Sequence, residues 1–157
     1  MSAERTFNPK KQKIQLERAL EKSEAWHDLK AANSIRVLIR FLSKCQWSRI
    51  SKKHDYYIRN NGEIEFTYGE ANKMGMANST FTRCLDELIA HGFIDIAKSG
   101  AGVHKLKTLY SISERWKKWG TDEFKENPRP TRPKQYKNIG FQPGHNHHPS
   151  SKKREEK

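Results

Sequence analysis

Hydrogen-bonding side chains recur along one side of the segment STFTRCLDELIA, residues 79–90. Thr80, Arg83 and Glu87 share that side at helical spacing, and Ser79 lies close by. Hydroxyl and guanidinium groups on an exposed helix face can donate hydrogen bonds to base edges in a DNA groove. The spacing predicts a helix that reads DNA through its N-terminal half, because Asp86 and Glu87 make the other half acidic.

The opposite side of this helix carries the apolar stripe that a core-facing helix needs. Asn78 or Ser79 is expected to cap the first turn, and Gly92 to end the helix in the left-handed conformation. The stripe has the helical spacing i, i+3, i+4, i+7, i+8 and comprises Phe81, Cys84, Leu85, Leu88 and Ile89.

A shorter helix precedes the reading helix. Thr67 and Glu70 have the spacing of a capping box, in which each side chain accepts a backbone N–H of the other residue. Gly75 permits a tight turn, Ala71 faces inward, and Met76 fills the gap between the two helices. The segment from Phe66 to Gly92 is thus predicted to be a helix-turn-helix.

Two alternating segments follow, residues 93–97 and 106–112, joined by a glycine-rich basic loop. Alternation of apolar and polar residues is typical of half-buried strands. The pair is either a plain surface hairpin or a wing that grips the DNA backbone beside the reading helix, and its position favours the wing. The predicted wing contacts are Lys98, Ser99, His104, Lys105 and Lys107.

The N-terminal half of the chain supplies the remaining helices. Ser23 can start the segment that carries Trp26, an expected core residue. Asn33 or Ser34 is expected to cap a stronger helix, whose other face bears a basic row that either is solvated or contacts phosphates. Its expected inner stripe is Ile35, Leu38, Ile39, Leu42 and Cys45, and its basic row is Arg36, Arg40 and Lys44.

Residues 47–61 are predicted to form a long basic loop, with a short strand at residues 56–58. The run Asn60, Asn61, Gly62 is a strong turn signal, since Asn and Gly tolerate positive φ. Acidic Glu63 indicates that the next strand points away from DNA. Further phosphate contacts are expected from basic and hydroxyl side chains in and after this loop, namely Arg49, Lys52, Lys53, Tyr68 and Lys73.

Positive charge is spread over the whole chain of 157 residues, which has a net charge of +13 and a pI of about 9.8. Residues 1–22, 23–119 and 120–157 carry excesses of +3, +6 and +4. Such a chain is attracted to polyanions. The alternative explanation of the charge is general solubility or weak, non-specific RNA binding. Mean hydropathy is −1.01, so a small core with disordered ends is expected.

Motifs of catalysis are absent from the sequence. It contains no GxxxxGK[ST], GxSxG or HExxH pattern. Cys45 and Cys84 lie in helical apolar patterns and are expected to be reduced thiols. Three histidines in the polar tail, His145, His147 and His148, favour adventitious metal binding over a built site. We therefore expect no enzyme, cofactor, metal site or small-molecule ligand.

Three local patterns resemble those of the winged helix-turn-helix superfamily, in particular small proteins of bacterial genomes, phages and mobile elements. The patterns are SEAWHDL, NNGEIEFTYGEA, and FTRCLDELIAHGFIDI followed by LYSISERW, and they cover about residues 23–120. The resemblance implies a DNA-binding fold. It gives the wing role to residues 98–107 and the base-reading role to Asn78, Ser79, Thr80, Thr82 and Arg83.

The sequence thus predicts an α+β protein with a flexible, in part helical arm (1–22), a winged-helix domain (23–120) of three to four helices, and a disordered tail (121–157). We expect sequence-specific binding of double-stranded DNA in the cytoplasm, at the nucleoid, by a transcriptional or replication regulator. A homodimer is left open, and no membrane span is expected. Two alternatives remain: a protein-interaction adaptor, which the acidic Asp86 and Glu87 support, and an RNA binder that uses tail aromatics such as Tyr136 and Phe141.

Overall fold

The computed structural model describes residues 14, 16–49, 56–100 and 107–129 of the chain, and shows a mixed α+β protein. Predictions for Lys52, Lys53, His104, Lys105 and residues 130–157 lie outside the described residues. In chain order the helices and strands are α1 (Arg18–Glu21), α2 (Glu24–His27), α3 (Ala32–Lys44), β1 (Trp47–Arg49), β2 (Tyr56–Ile58), β3 (Ile64–Glu65), α4 (Tyr68–Lys73), α5 (Asn78–Ala90), β4 (Ile94–Lys98) and β5 (Leu109–Ile112), followed by a 3₁₀ helix (Arg115–Lys118).

Within residues 23–120 the described part of the chain forms four α-helices, α2 to α5, which agrees with the three to four predicted for this range. The single turn α1 lies in the arm, which was expected to be in part helical. Ser23 starts α2 as predicted: its hydroxyl donates to Leu20 O (2.7 Å) and accepts from Trp26 N–H (3.2 Å). Leu20 and Ala25 are buried, so the expected arm joins the core from α1 onwards.

α3 shows the largest error in the predicted core. It begins at Ala32 after an Ala31 N-cap without a side-chain cap, so the prediction of an Asn33 or Ser34 cap is wrong. Ile39, expected on the inner face, is 39% exposed, whereas Phe41 is fully buried. The reason is aromatic packing, because the Phe41 ring meets the rings of Phe66 and Tyr110 edge-on, each at 5.2 Å between centroids.

The predicted loop at residues 47–61 is wrong in its first part, because β1 pairs with β2 as an antiparallel hairpin. The predicted strand at 56–58 is confirmed. Asn60 closes the base of the hairpin: its side chain accepts from Gln46 N–H (2.8 Å) and donates to Lys44 O (3.0 Å). The predicted turn after it is confirmed, with Gly62 at φ +90°.

A second, three-stranded antiparallel sheet has the order β3-β5-β4. Ile64 faces Tyr110 across β3 and β5, and Ile94 faces Ile112 across β4 and β5. The inner side chains of this sheet join those of α3 and α5 in one core, whose largest fully buried members include Phe41, Phe81, Phe93, Leu38 and Leu85.

The packed body extends past the boundary expected at Gly120. Residues 121–129, called the strap below, run along the 3₁₀ helix and the end of α5. Phe124 meets the Trp119 ring edge-on at 4.9 Å, Arg115 Nη1 donates to Lys125 O (2.9 Å), and Asn127 Nδ2 donates to Asp95 Oδ1 (2.9 Å). The strap therefore departs from the disordered tail predicted from residue 121.

Candidate nucleic-acid interface

Helices α4 and α5 are joined as the sequence predicts. The capping box is present: Glu70 N–H donates to Thr67 Oγ1 (3.3 Å), and Thr67 N–H donates to Glu70 Oε2 (3.1 Å). The connection spans residues 74–77, with Gly75 at φ +77° and Met76 buried. A turn of this length containing glycine fits a helix-turn-helix.

α5 is held in place by its apolar stripe, which is confirmed as buried over its whole length: Phe81, Cys84, Leu85, Leu88 and Ile89. The predicted cap is wrong, because α5 begins at Asn78 after an Ala77 N-cap that offers no side-chain acceptor. Asn78 and Ser79 are thus exposed and not used for capping. The open N–H groups and the positive end of the helix dipole favour an anion here.

Arg83 lies one turn further along α5 and is exposed. Within the described part of the chain it forms no hydrogen bond or ion pair. Thr80 beside it is partly buried. Asn78, Ser79 and Arg83 therefore present an uncommitted polar surface on the first turns of α5.

Thr82 has an internal role instead. Its hydroxyl donates to Asn78 O (2.9 Å), and the Tyr68 hydroxyl lies 3.1 Å from Thr82 Oγ1. A threonine hydroxyl has one proton, so Tyr68 is the donor of that second bond. The Tyr68 ring also packs edge-on against Phe81 at 5.3 Å. These two predicted contact residues brace the start of α5 and have no proton left for DNA in this arrangement.

Both acidic side chains in the second half of α5 have partners within the protein. Glu87, expected on the outer face, instead faces the start of α3: it accepts from Lys30 N–H (2.7 Å) and from the Ser34 hydroxyl. Asp86 Oδ1 forms an ion pair with Arg129 Nη2 of the strap (3.0 Å). The prediction that Glu87 lies on the outer face is therefore wrong, whereas Asp86 is exposed and has a basic partner.

The basic row of α3 faces α4, whereas the two alternatives taken from the sequence were a solvated row and a row that contacts phosphates. Arg36 Nη2 donates to Met74 O (3.1 Å), and Lys44 Nζ pairs with Glu70 Oε1 (2.6 Å). Burial raises the pKa of Glu70, but hydrogen bonds from Lys44 and Thr67 outweigh it, so the net pKa lies below its usual range. The row ties α4 and the turn after it to α3.

The described ends of the predicted wing lie at β4 and β5. Lys98 and Ser99 are exposed, and Gly100 N–H donates to Thr108 Oγ1 (3.2 Å). Lys107 Nζ pairs with Glu65 Oε2 (2.8 Å), a hydrogen bond that raises the pKa of Lys107. Lys107 is thus already paired with a carboxylate, whereas Lys98 lies at the exposed end of β4.

The remaining predicted phosphate contacts are dispersed. Lys73 is exposed at the end of α4, beside the turn, while Arg49 is exposed on β1 in the separate hairpin. Basic side chains outnumber acidic ones by only 17 to 14 among the described residues. Most of the net charge of +13 therefore belongs to segments outside them.

A cavity of about 320 Å³ lies between the end of α5 and the strap. It is lined by Ile89, Ala90, Trp119 and Pro128, with Asp86 and Arg129 among its polar residues. Arg129 Nη2 lies 3.0 Å from Asp86 Oδ1, but Arg129 Nε and Nη2 have no hydrogen-bond partner there. The described residues contain no cluster of metal-ligating side chains. The exposed start of α5 also carries side chains without hydrogen-bond partners among the described residues, namely Asn78, Ser79 and Arg83.

No helix in the described ranges has the length and apolarity needed to cross a membrane. Comparison of the chain with protein-family models, with curated proteins and with solved structures gives no match.

Proposed function

We propose that this chain is a winged helix-turn-helix protein that binds double-stranded DNA in a sequence-specific way, with α5 as its recognition helix. The observation that carries the proposal is the uncommitted surface formed by Asn78, Ser79 and Arg83 on a helix whose other side is fixed in the core. Recognition helices contact base edges through their N-terminal residues, which is where these side chains lie.

The topology supports the same proposal. Helices α4 and α5 are followed by the antiparallel strands β4 and β5, and β4 contacts α5. Lys98 at the loop end of β4 and Lys73 beside the turn supply exposed positive charge on the elements next to α5, which suits the DNA backbones beside a groove. We place the protein among regulators of transcription or replication at the nucleoid.

Arg83 has a defined role in this proposal, a bidentate hydrogen bond to a guanine O6 and N7. Selection of binding sites from a random duplex library supplies the target sequence. The symmetry of that sequence shows whether one copy of the chain or a homodimer binds. Arg83→Ala should then lower affinity for the selected site by roughly 5- to 150-fold, because one bidentate pair contributes about 1–3 kcal/mol of discrimination. Arg83→Lys should retain charge but lose much of the discrimination.

Arg18→Ala is the matched control, since Arg18 is exposed on α1 and its removal changes the net charge by the same amount. It should leave the base preference unchanged. A variant Arg83→Ala with the affinity and base preference of the wild type would refute the reading role of α5.

The adaptor alternative rested on acidic residues of α5, and these have internal partners in Lys30, Ser34 and Arg129. Titration of a random duplex at two salt concentrations tests it further. A DNA-binding protein should lose affinity steeply as salt rises, because bound phosphates release counterions. An adaptor should bind the duplex weakly at both concentrations.

A further inference from the structure

The hairpin formed by β1 and β2 stands apart from the sheet that carries the wing. Its strands pair only with each other among the described strands, in the register Trp47 with Ile58 and Arg49 with Tyr56. Side chains and backbone fix the base of the hairpin. Besides the bonds of the Asn60 side chain, Arg59 N–H donates to Gln46 O (2.8 Å) and Arg59 Nη2 donates to Gln46 Oε1 (2.7 Å). The hairpin is thus a defined projection from the body.

Two consecutive tyrosines lie on β2 with their rings largely in solvent. Tyr56 is 47% and Tyr57 46% exposed. Consecutive strand residues point to opposite faces, so each face of the ribbon carries one ring. Ser48 lies opposite Tyr57 and is too small to cover its ring. No other described aromatic ring packs against either tyrosine.

The segment that carries the tyrosines has a net positive charge. Residues 46–61 contain one acidic side chain, Asp55, and four basic ones, Arg49, Lys52, Lys53 and Arg59. Arg49 lies directly opposite Tyr56 on the same face. Exposed aromatic rings in a segment with an excess of cations match a ligand that combines flat π-faces with a chain of negative charge.

We propose that this hairpin is a binding site for single-stranded nucleic acid, with bases stacked on Tyr56 and Tyr57 and phosphates near Arg49 and Arg59. A duplex offers little to these rings, because its bases are already stacked on each other, whereas a single strand exposes the faces of its bases. A flexible strand can also pass round the edge of a two-stranded ribbon to reach both faces. The site is distinct from α5 and does not depend on the function proposed for that helix.

The test is a fluorescence anisotropy titration of the full chain with labelled oligothymidylate, with the matching oligouridylate, and with a duplex of the same length. The variant Tyr56→Ala/Tyr57→Ala should bind single strands more weakly by roughly ten-fold for each ring removed, because the stacking of each base is lost. The double variant to Phe keeps both rings and should bind as the wild type does. The DNA and RNA arms identify which single strand is preferred.

Arg83→Ala separates this proposal from that for α5, because it should lower duplex affinity and leave single-strand affinity unchanged. Circular dichroism of each variant verifies the fold, which exposed side chains should not affect. The proposal is overturned if the wild type does not bind either single strand at low salt, or if the alanine variant binds as well as the wild type. It is also overturned if the phenylalanine variant loses as much affinity as the alanine variant, because a hydroxyl contact would then replace stacking.

Discussion

Gly92, at the end of α5, is the position where a single methyl group should do the most damage. Its φ is +78°, a conformation that side chains with a β-carbon rarely adopt. A β-carbon built there would lie 2.7 Å from Arg115 Cβ and 2.8 Å from Trp116 N. The backbone at that point is fixed, because Trp116 N–H donates to Gly92 O (3.1 Å). Gly92→Ala must therefore move the 3₁₀ helix away from α5.

The magnitude follows from two contributions. The left-handed conformation costs an alanine about 1–2 kcal/mol, offset in part by the lower entropy of the unfolded chain. Crowding against backbone adds about 1–3 kcal/mol. The variant Gly75→Ala isolates the conformational contribution, because φ of Gly75 is +77° but a β-carbon there meets no atom within 4 Å. We expect a loss of about 1 kcal/mol for Gly75→Ala and about 3 kcal/mol for Gly92→Ala.

Urea unfolding followed by tryptophan fluorescence measures both losses. The midpoint should fall for each variant at an unchanged slope, and about three times further for Gly92→Ala. Equal midpoints for the two variants would show that residues 115 and 116 yield freely, which would refute the rigid contact between α5 and the 3₁₀ helix.

Two further predictions concern the strap and its anchor. Burial raises the pKa of Asp95, but hydrogen bonds from Arg115, Ser113 and Asn127 outweigh it and set the net pKa below its usual range. Ionised Asp95 therefore stabilises the fold above about pH 4. This contribution is lost as the pH falls through the lowered pKa. The melting temperature of the Asp95→Asn variant should accordingly fall less between neutral and acidic pH than that of the wild type. A chain that ends at Gly120 should be less stable to urea by about 2 kcal/mol than one that ends at Arg129, because it loses the Phe124 ring contact and two hydrogen bonds to the strap. Equal urea midpoints would contradict the packing of the strap.

Local patterns in the sequence were sufficient to predict α4, α5 and the turn that joins them. The apolar stripe of α5, the capping box of Thr67 and Glu70, and the turns at Gly62 and Gly75 each depend on residues within a few positions of one another. Periodicity and capping are properties of one short segment, so they can be read before the chain is folded. The positions of Arg83 and Ser79 on α5 follow from the same period.

Only the tertiary structure decided which polar groups remain available for binding a ligand. Glu87 has the spacing of an exposed residue but accepts hydrogen bonds from Lys30 and Ser34, more than fifty positions away. Phe41 displaces Ile39 from the inner face of α3 because two distant aromatic rings meet it. A hydropathy pattern records that a side chain is polar or apolar, but its partner is set by contacts between segments distant in sequence. The sequence therefore determined where the helix α5 would lie, and the fold determined which of its side chains remain free to bind.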